Sequence, residues 1–375
     1  MIEAEKKGNH FPWNGNEMVE KAYERDNYKI IDMGRQPGRA LIFFSGNGLY
    51  FPDTEEVFRE EIFDGDRYEW EHVSKQYLIQ RHYSKIIFLR DIYKQWYVRG
   101  INKRIDSVEK VIELVHELTS GLEVVTCGNS AGGYMAMLVG KAIGAKRIFS
   151  FSGQFSIMNQ VYRAPLLSYY QGDSYYSKYY SLSTLMQERG EIFHFYPAYS
   201  KQDIEQMKIA EKWIGGIRAF AFEDDSHGRT VEAVCYEYLL TLDSNKLREL
   251  SKKYESRLIE AHEFSEVVLQ SHDFFKRNIA YKNDTGRGKK GVYIWGTGID
   301  GERCYRLFEK MGVEIIGIID SYKKQTVWHG HKVIAPDELN RDSGIICVAT
   351  RKYEGEIMEQ IQKLEIEEGR YICFR

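Results

Sequence analysis

No run of about eighteen consecutive apolar residues occurs in this sequence, so nothing in it reads as a membrane-crossing helix. The first residues, Met1-Ile2-Glu3-Ala4-Glu5-Lys6-Lys7, lack the apolar core of a secretory signal, and the expectation is a soluble, cytoplasmic protein. An excess of either charge is missing too: 52 Lys and Arg against 55 Asp and Glu leave a net charge of −3. That balance offers no general electrostatic attraction to nucleic acid or to an acidic membrane. The five cysteines, Cys127, Cys235, Cys304, Cys347 and Cys373, lack metal-ligand spacing and stand mostly in apolar contexts, as reduced core residues do. The histidines include no H-x-x-x-H pair and no His/Cys cluster, so no metal is expected.

A length of 375 residues exceeds what one hydrophobic core usually supports, and two unequal domains are expected. Apolar residues at 43% and charged residues at 29% are ordinary for a globular chain. The unusual figure is 27 Tyr, a residue suited to half-wet core positions or to surfaces that stack on planar or sugar-like ligands.

From about residue 28, short β-branched and aromatic runs alternate with segments of helical period, the pattern of an α/β fold around a mainly parallel sheet. Strands are expected at 28–33, 39–45, 85–91, 123–127, 147–151, 191–196 and 217–222. Apolar spacing of three and four predicts helices over 106–118, 131–143 and 203–213. Residues 162–180 hold seven tyrosines, either a surface loop packed by its own rings or a lid over an active site. Residues 245–282 are charged and helical in period, and Asn283 to Lys290 resembles a linker. The expected organisation is therefore residues 1–243, a connector at 244–290 and a second α/β domain at 291–375.

Val124-Val125-Thr126-Cys127-Gly128-Asn129-Ser130-Ala131-Gly132 is a strand running into a glycine-flanked serine and then a helix. Such a turn forces the serine into a strained conformation and needs small neighbours where strand and helix pass. Ser130 is the candidate nucleophile. A serine hydroxyl needs a base, and the base needs an acid to orient it. His227, in the loop after the last strand of the first domain, is the candidate base; the alternative is a surface or capping histidine. Asp203, seven residues beyond Tyr196 at the mouth of a helix, is the candidate acid, with an N-cap role as the alternative. Asp224 and Asp225 are the fallbacks. Two backbone N–H groups are needed for an oxyanion. Ala131 is the candidate for one, and Asn47, in the turn Ser45-Gly46-Asn47-Gly48, which resembles the His-Gly-Gly-Gly turn of esterases, is by position the candidate for the other. Asp91 is read as structural, pairing with Arg90 or Arg99, with substrate binding as the alternative.

The elbow, the glycine-rich turn and the Ser-Asp-His chain order resemble the α/β-hydrolase superfamily over roughly residues 28–243. Phe88-Leu89-Arg90-Asp91, with Trp96-Tyr97 and Gly100, is similar to a group of bacterial hydrolase-like proteins of surface-glycan assembly, some of them O-acetyltransferases. That resemblance implies an acyl-enzyme on Ser130 resolved by a sugar hydroxyl or by water.

Val292-Tyr293-Ile294-Trp295-Gly296-Thr297-Gly298-Ile299-Asp300-Gly301 is a strand, a G-x-G-x-x-G turn and a helix start, with Asp320 ending a second strand about twenty positions on. Gly296, Gly298, Gly301 and Asp320 are the residues such a turn uses for a phosphate and a ribose. Residues 291–375 resemble the small Rossmann-like domain of bacterial sugar acyltransferases, which implies a nucleotide or nucleotide-sugar ligand; a docking module that keeps the glycines for helix packing is the alternative. An NAD-dependent oxidoreductase is disfavoured by the short domain.

The leading expectation is an O-acetyltransferase or acetyl esterase of bacterial polysaccharide or glycoconjugate synthesis. Its partners would be a carbohydrate substrate and glycan-biosynthesis enzymes, with acetyl-CoA a candidate donor and no cofactor needed for hydrolysis. A general carboxylesterase and a non-catalytic scaffold are the alternatives.

Overall fold

The computed structural model describes residues 15–36, 38–162, 164–228, 230–282, 288–322, 327–339, 344–350, 352–367 and 369–374. Met1 to Lys7 and residues 283–287 of the expected linker lie outside the described residues. By contact the chain divides into two compact units, Met1–Ser74 with His82–Thr230 and Ser251–Leu258, and Lys75–Arg81 with Val231–Leu250 and Ile259–Arg375.

The first unit is built on β1 (Tyr28–Asp32), β2 (Arg39–Phe44), β3 (Lys85–Leu89), β4 (Glu123–Asn129), β5 (Arg147–Phe151), β6 (Glu191–Pro197) and β7 (Ile217–Phe222). They lie in the order β1-β3-β2-β4-β5-β6-β7. β1 pairs antiparallel with β3, and the pairs from β3 through β7 are parallel. Parallel strands need crossovers, and helices Val108–Leu118, Ala131–Ala142 and Lys201–Ala210 provide three of them. This is the α/β-hydrolase fold. β2, β4 and β5 read as near-continuous apolar runs because helices cover both faces of a parallel sheet.

Parallel winding places every turn after β2 to β7 at one sheet edge. At the centre of that edge, Ala131–Ala142 packs on β2 closely enough that a Cβ on Gly132 would fall 2.1 Å from the Phe44 carbonyl oxygen. Several of the tyrosines after β5 pack on one another and on the chain around them. Tyr170 lies tilted against Tyr176 with ring centres 4.1 Å apart, Tyr180 Oη donates to Leu167 O at 2.9 Å, and Tyr134 Oη donates to Tyr179 O at 2.9 Å.

Asp91 is buried, as a structural residue would be, but with different partners from those expected. It accepts backbone N–H groups from Tyr93 at 3.0 Å, Gln95 at 2.7 Å and Tyr97 at 2.9 Å. Burial pushes its carboxyl up to about 6 against those N–H groups. Arg90 instead contacts Asp66, Asn27 and the Arg67 carbonyl, and Arg99 lies over the Tyr23 and Tyr93 rings.

The second unit has a six-stranded sheet in the order Val327–Trp328, His331–Ile334, Ile315–Ile319, Gly291–Trp295, Gly344–Val348, Tyr371–Cys373. All pairs are parallel except the first. Residues 231–243, read from the sequence as the end of the first domain, cluster with this unit. Helix Cys235–Thr241 is bound there by Cys235 Sγ to Ser265 Oγ at 3.1 Å and Thr241 Oγ1 to His272 Nε2 at 3.0 Å. Helical periodicity marks an apolar face without saying which core receives it. On that helix Glu237 is buried and accepts the Leu78 N–H at 2.6 Å, while its second oxygen has no hydrogen-bond partner among the described residues.

Gly132→Ala is expected to destabilise the chain by about 3 kcal/mol or more, because the obstacle is backbone rather than a movable side chain. Thermal unfolding checks it, and a melting temperature equal to the parent's would refute the close approach. Burial raises the Glu237 carboxyl from 4.5 to about 7. Its neutral form is therefore favoured by folding, a stabilisation present below pH 4.5 and lost as pH rises through about 7. Glu237→Gln is expected to gain on the parent as pH goes from 5 to 8, by up to about 3 kcal/mol. Parallel melting curves at both pH values would contradict this.

Candidate active site

Ser130 follows β4 with φ 53° and ψ −119°, a sparsely populated conformation for a residue with a Cβ that costs about 1–3 kcal/mol. The surroundings hold it there. Ser130 N donates to Phe151 O at 2.8 Å, and Ser130 O accepts from Tyr134 N at 3.0 Å. Gly128 and Gly132 leave no room for side chains, since a Cβ on Gly128 would meet the Gly132 carbonyl oxygen at 2.2 Å.

The loop after β7 brings His227 Nε2 to 2.8 Å from Ser130 Oγ. On the other side of the ring, Nδ1 lies 2.9 Å from Asp203 Oδ2 and 3.1 Å from Oδ1. A carboxylate at Nδ1 assigns the proton to that nitrogen and leaves Nε2 to accept from the serine hydroxyl. Asp203 is 3% exposed and lies in the first turn of Lys201–Ala210, whose N-cap is Ser200, so it does not cap that helix. Ser200 Oγ donates a short hydrogen bond to Asp203 Oδ2. Sequence reasoning missed Ser200; its place three residues before the acid was the available signal. Asp224 and Asp225 serve their own loop instead, Asp224 Oδ1 accepting Ser226 N at 2.7 Å and Asp225 Oδ1 accepting Ser226 Oγ at 3.3 Å.

The acid and histidine loops are joined by Tyr199 N donating to Asp224 O at 3.0 Å and Ala198 N donating to Phe222 O at 2.8 Å. Gly228 has φ +87° and donates its N–H to Ser152 Oγ at 3.1 Å, while the Asn129 amide fills the space where a Cβ would go. His194, on β6, is a different kind of histidine. It is buried, its Nδ1 lies 3.2 Å from Ser150 Oγ, and burial lowers its pKa to about 4, so it stays neutral within the core.

The turn after β2 sits against the elbow: a Cβ on Gly46 would lie 2.4 Å from the Asn129 carbonyl oxygen. Ser45 N donates to Leu89 O at 3.0 Å and Ser45 O accepts the Tyr97 hydroxyl at 2.9 Å. Gly46 N donates to Glu69 Oε2 at 2.6 Å, and Gly46 O accepts Leu49 N at 3.2 Å. The Asn47 and Ala131 N–H groups have no acceptor among the described residues. Glu69 is partly buried, and its enclosure pushes the carboxyl up to about 7 against the pull of the Gly46 N–H. Neither Glu69 nor Tyr97 carries a sequence signal for this position.

In the second unit, Gly296, Gly298, Asp320, Tyr322 and Tyr353 line a cavity of about 270 Å³ at the point where the strand order reverses. Gly296 and Gly301 are required by packing, since a Cβ on Gly301 would lie 2.0 Å from Gly296 O and one on Gly296 2.8 Å from Ala349 O. A Cβ on Gly298 meets nothing within 4 Å. Asp320 Oδ2 accepts Thr297 N at 3.2 Å and the Thr297 hydroxyl at 2.5 Å, and Asp320 Oδ1 accepts Tyr322 N at 2.9 Å. The acidic residue thus braces the glycine turn. Among the described residues, no group of three or more His, Cys, Asp or Glu side chains is arranged to hold a metal ion, and no helix is long and apolar enough to cross a membrane.

No curated protein matches the sequence. Among solved structures, the chain is similar to the capsule O-acetyltransferase of Neisseria meningitidis serogroup A, at 14% identity and a TM-score of 0.39 over 62% of this chain and 90% of that one. It is also similar to acetyl xylan esterase 1 from Thermoanaerobacterium sp. JW/SL YS485, at 11% identity and 0.33 over 55% and 74%. A third likeness is to a fungal esterase from Rhizomucor miehei, at 15% and 0.34 over 61% and 84%. Residues 288–372 match the family model described as C2185-like, N-terminal.

Proposed function

We propose that the chain is a serine-nucleophile acyl-transfer enzyme acting on a carbohydrate, with Ser130, His227 and Asp203 as its catalytic residues. The observation that carries this reading is the continuous hydrogen-bonded series from Ser130 Oγ through both nitrogens of His227 to Asp203. Ser130 Oγ attacks the acyl carbonyl as His227 Nε2 takes its proton, and the carbonyl oxygen gains charge within reach of the Asn47 and Ala131 N–H groups. Collapse of the tetrahedral species expels the leaving group, protonated by His227. A sugar hydroxyl then surrenders its proton to the same nitrogen, attacks the acyl-serine and leaves as the ester, restoring Ser130. Asp203 stays ionised and holds the imidazolium, with Ser200 fixing its carboxylate.

An acetyl group from acetyl-CoA fits the resemblance to glycan O-acetyltransferases drawn from residues 88–100. A sugar acceptor is supported by exposed rings after β5 and β6, Tyr162 at 75%, Tyr169 at 73% and Tyr199 at 58%, at the sheet edge that carries Ser130. The glycine-turn cavity of the second unit is read as a Rossmann-like nucleotide or nucleotide-sugar site, supported by the open space before Gly298 and the tyrosines at its rim.

Acetyl release from p-nitrophenyl acetate and from acetyl-CoA, with and without sugars, tests the first reading. Ser130→Ala and His227→Ala are expected to lose on the order of 10⁴-fold or more, and Asp203→Asn a comparable amount. Turnover that rises with added sugar establishes a transferase, and turnover indifferent to sugar an esterase. Equal rates for parent and Ser130→Ala, with no fluorophosphonate labelling, would leave only the scaffold alternative. For the second site, a titration with nucleotides and nucleotide-sugars is expected to give binding that Gly298→Trp abolishes by filling the cavity mouth. Absence of binding across the panel would identify the turn as packing alone.

A further inference from the structure

Four backbone groups open the turn after β2, and each has an assigned partner. Leu89 O takes Ser45 N, the Tyr97 hydroxyl takes Ser45 O, Glu69 Oε2 takes Gly46 N and Leu49 N takes Gly46 O. Glu69 N also donates to Ser45 Oγ at 3.4 Å, so the side chain and the main chain of one residue grip two successive turn residues. Consecutive N–H groups in such a turn compete to face the same space. Rotation of the peptide joining Ser45 and Gly46 would aim the Gly46 N–H elsewhere and drag Asn47 with it. An accepting carboxyl oxygen at 2.6 Å opposes that rotation, because turning the peptide would leave the Gly46 N–H without its partner. The Gly46 N–H is therefore occupied, and the Asn47 N–H, with that of Gly48 after it, is left without an acceptor among the described residues.

We propose that Glu69 is a positioning residue of the oxyanion site, holding Gly46 N–H so that Asn47 N–H faces the acyl oxygen beside Ser130. The inference rests on the acyl-transfer reading above and extends it to a residue outside the Ser-His-Asp set. Glu69 touches no reacting atom. It acts through the geometry of the turn, so its loss falls on the step in which negative charge develops rather than on substrate binding. Tyr97 holds the same turn at Ser45 O and is the independent handle on it.

The test uses the full chain with p-nitrophenyl acetate, comparing parent, Ser130→Ala, Glu69→Ala, Glu69→Gln and Tyr97→Phe, each first checked for a parent-like circular dichroism spectrum and melting curve. Glu69→Ala is expected to lower kcat on the order of 10- to 100-fold with KM little changed, less than the loss of a whole oxyanion donor. Glu69→Gln keeps an accepting oxygen for Gly46 N–H and is expected to recover most of that loss. Tyr97→Phe, which removes one hydroxyl from a well-packed ring, is expected to fall in the same direction by several-fold. If Ser130-dependent turnover is present but Glu69→Ala matches the parent, raises KM alone, or is not rescued by Gln, the positioning role is overturned and the acyl-transfer reading stands. If Glu69→Ala does not fold, the Gln and Phe variants decide: Tyr97→Phe with unchanged kcat and Glu69→Gln at the level of Ser130→Ala would overturn the role. If parent and Ser130→Ala are equally inactive, both readings fall, and the parent arm alone reveals it.

Discussion

The close approach of the Ala131–Ala142 helix to the end of β2 is the constraint on which the first unit's chemistry depends. With a hydrogen atom where a side chain would be, Gly132 lets the helix start rest on the Phe44 carbonyl. That contact decides where Ser130 sits above the sheet. The turn after β2 lies against the same elbow, since a Cβ on Gly46 would fall 2.4 Å from the Asn129 carbonyl oxygen. Without it the serine would still follow β4, but the turn after β2 would no longer lie against it. Ser130's unfavourable backbone angles are a consequence, tolerated because neighbours on β5 and in the helix bind both its N–H and its carbonyl.

Much of this was legible in the sequence, for reasons that differ by element. β2 through β7 emerge within a few residues of their expected ends, because strands covered on both faces must be apolar without interruption. Ser130 was singled out by the glycine-flanked turn between strand and helix, Asp203 and His227 by their places after the last two strands, and the structure brings the three side chains into one hydrogen-bonded series. Chain order carries that information because parallel winding sends every loop after a strand to the same edge.

What stayed hidden is what depends on long-range hydrogen bonds. Glu69 meets Gly46 across 23 residues and Tyr97 meets Ser45 across 52, and neither stretch has a periodicity that anticipates the meeting. Asp91 was assigned arginine partners because charge pairing is the simplest use of a buried carboxylate. The chain after it instead folds back in left-handed conformations at Lys94, Trp96 and Tyr97 and offers its own N–H groups. Residues 231–243, read as the end of the first domain, cluster with the second unit through bonds equally distant in sequence, Cys235 to Ser265 and Thr241 to His272.

The hydrogen bonds that run from the acid loop to the histidine loop, Tyr199 to Asp224 and Ala198 to Phe222, make two connections behave as one part. Insertions are ordinarily cheap in surface loops, which is how families of enzymes acquire new specificities. Here a residue added after β6 would displace the segment after β7, so these two loops can change length only together. The connection after β5 is tied to them at its start, by Ser152 to Gly228 and by Phe155 and Ser156 to Gln206, so growth of the scaffold is channelled into the tyrosine-bearing stretch beyond.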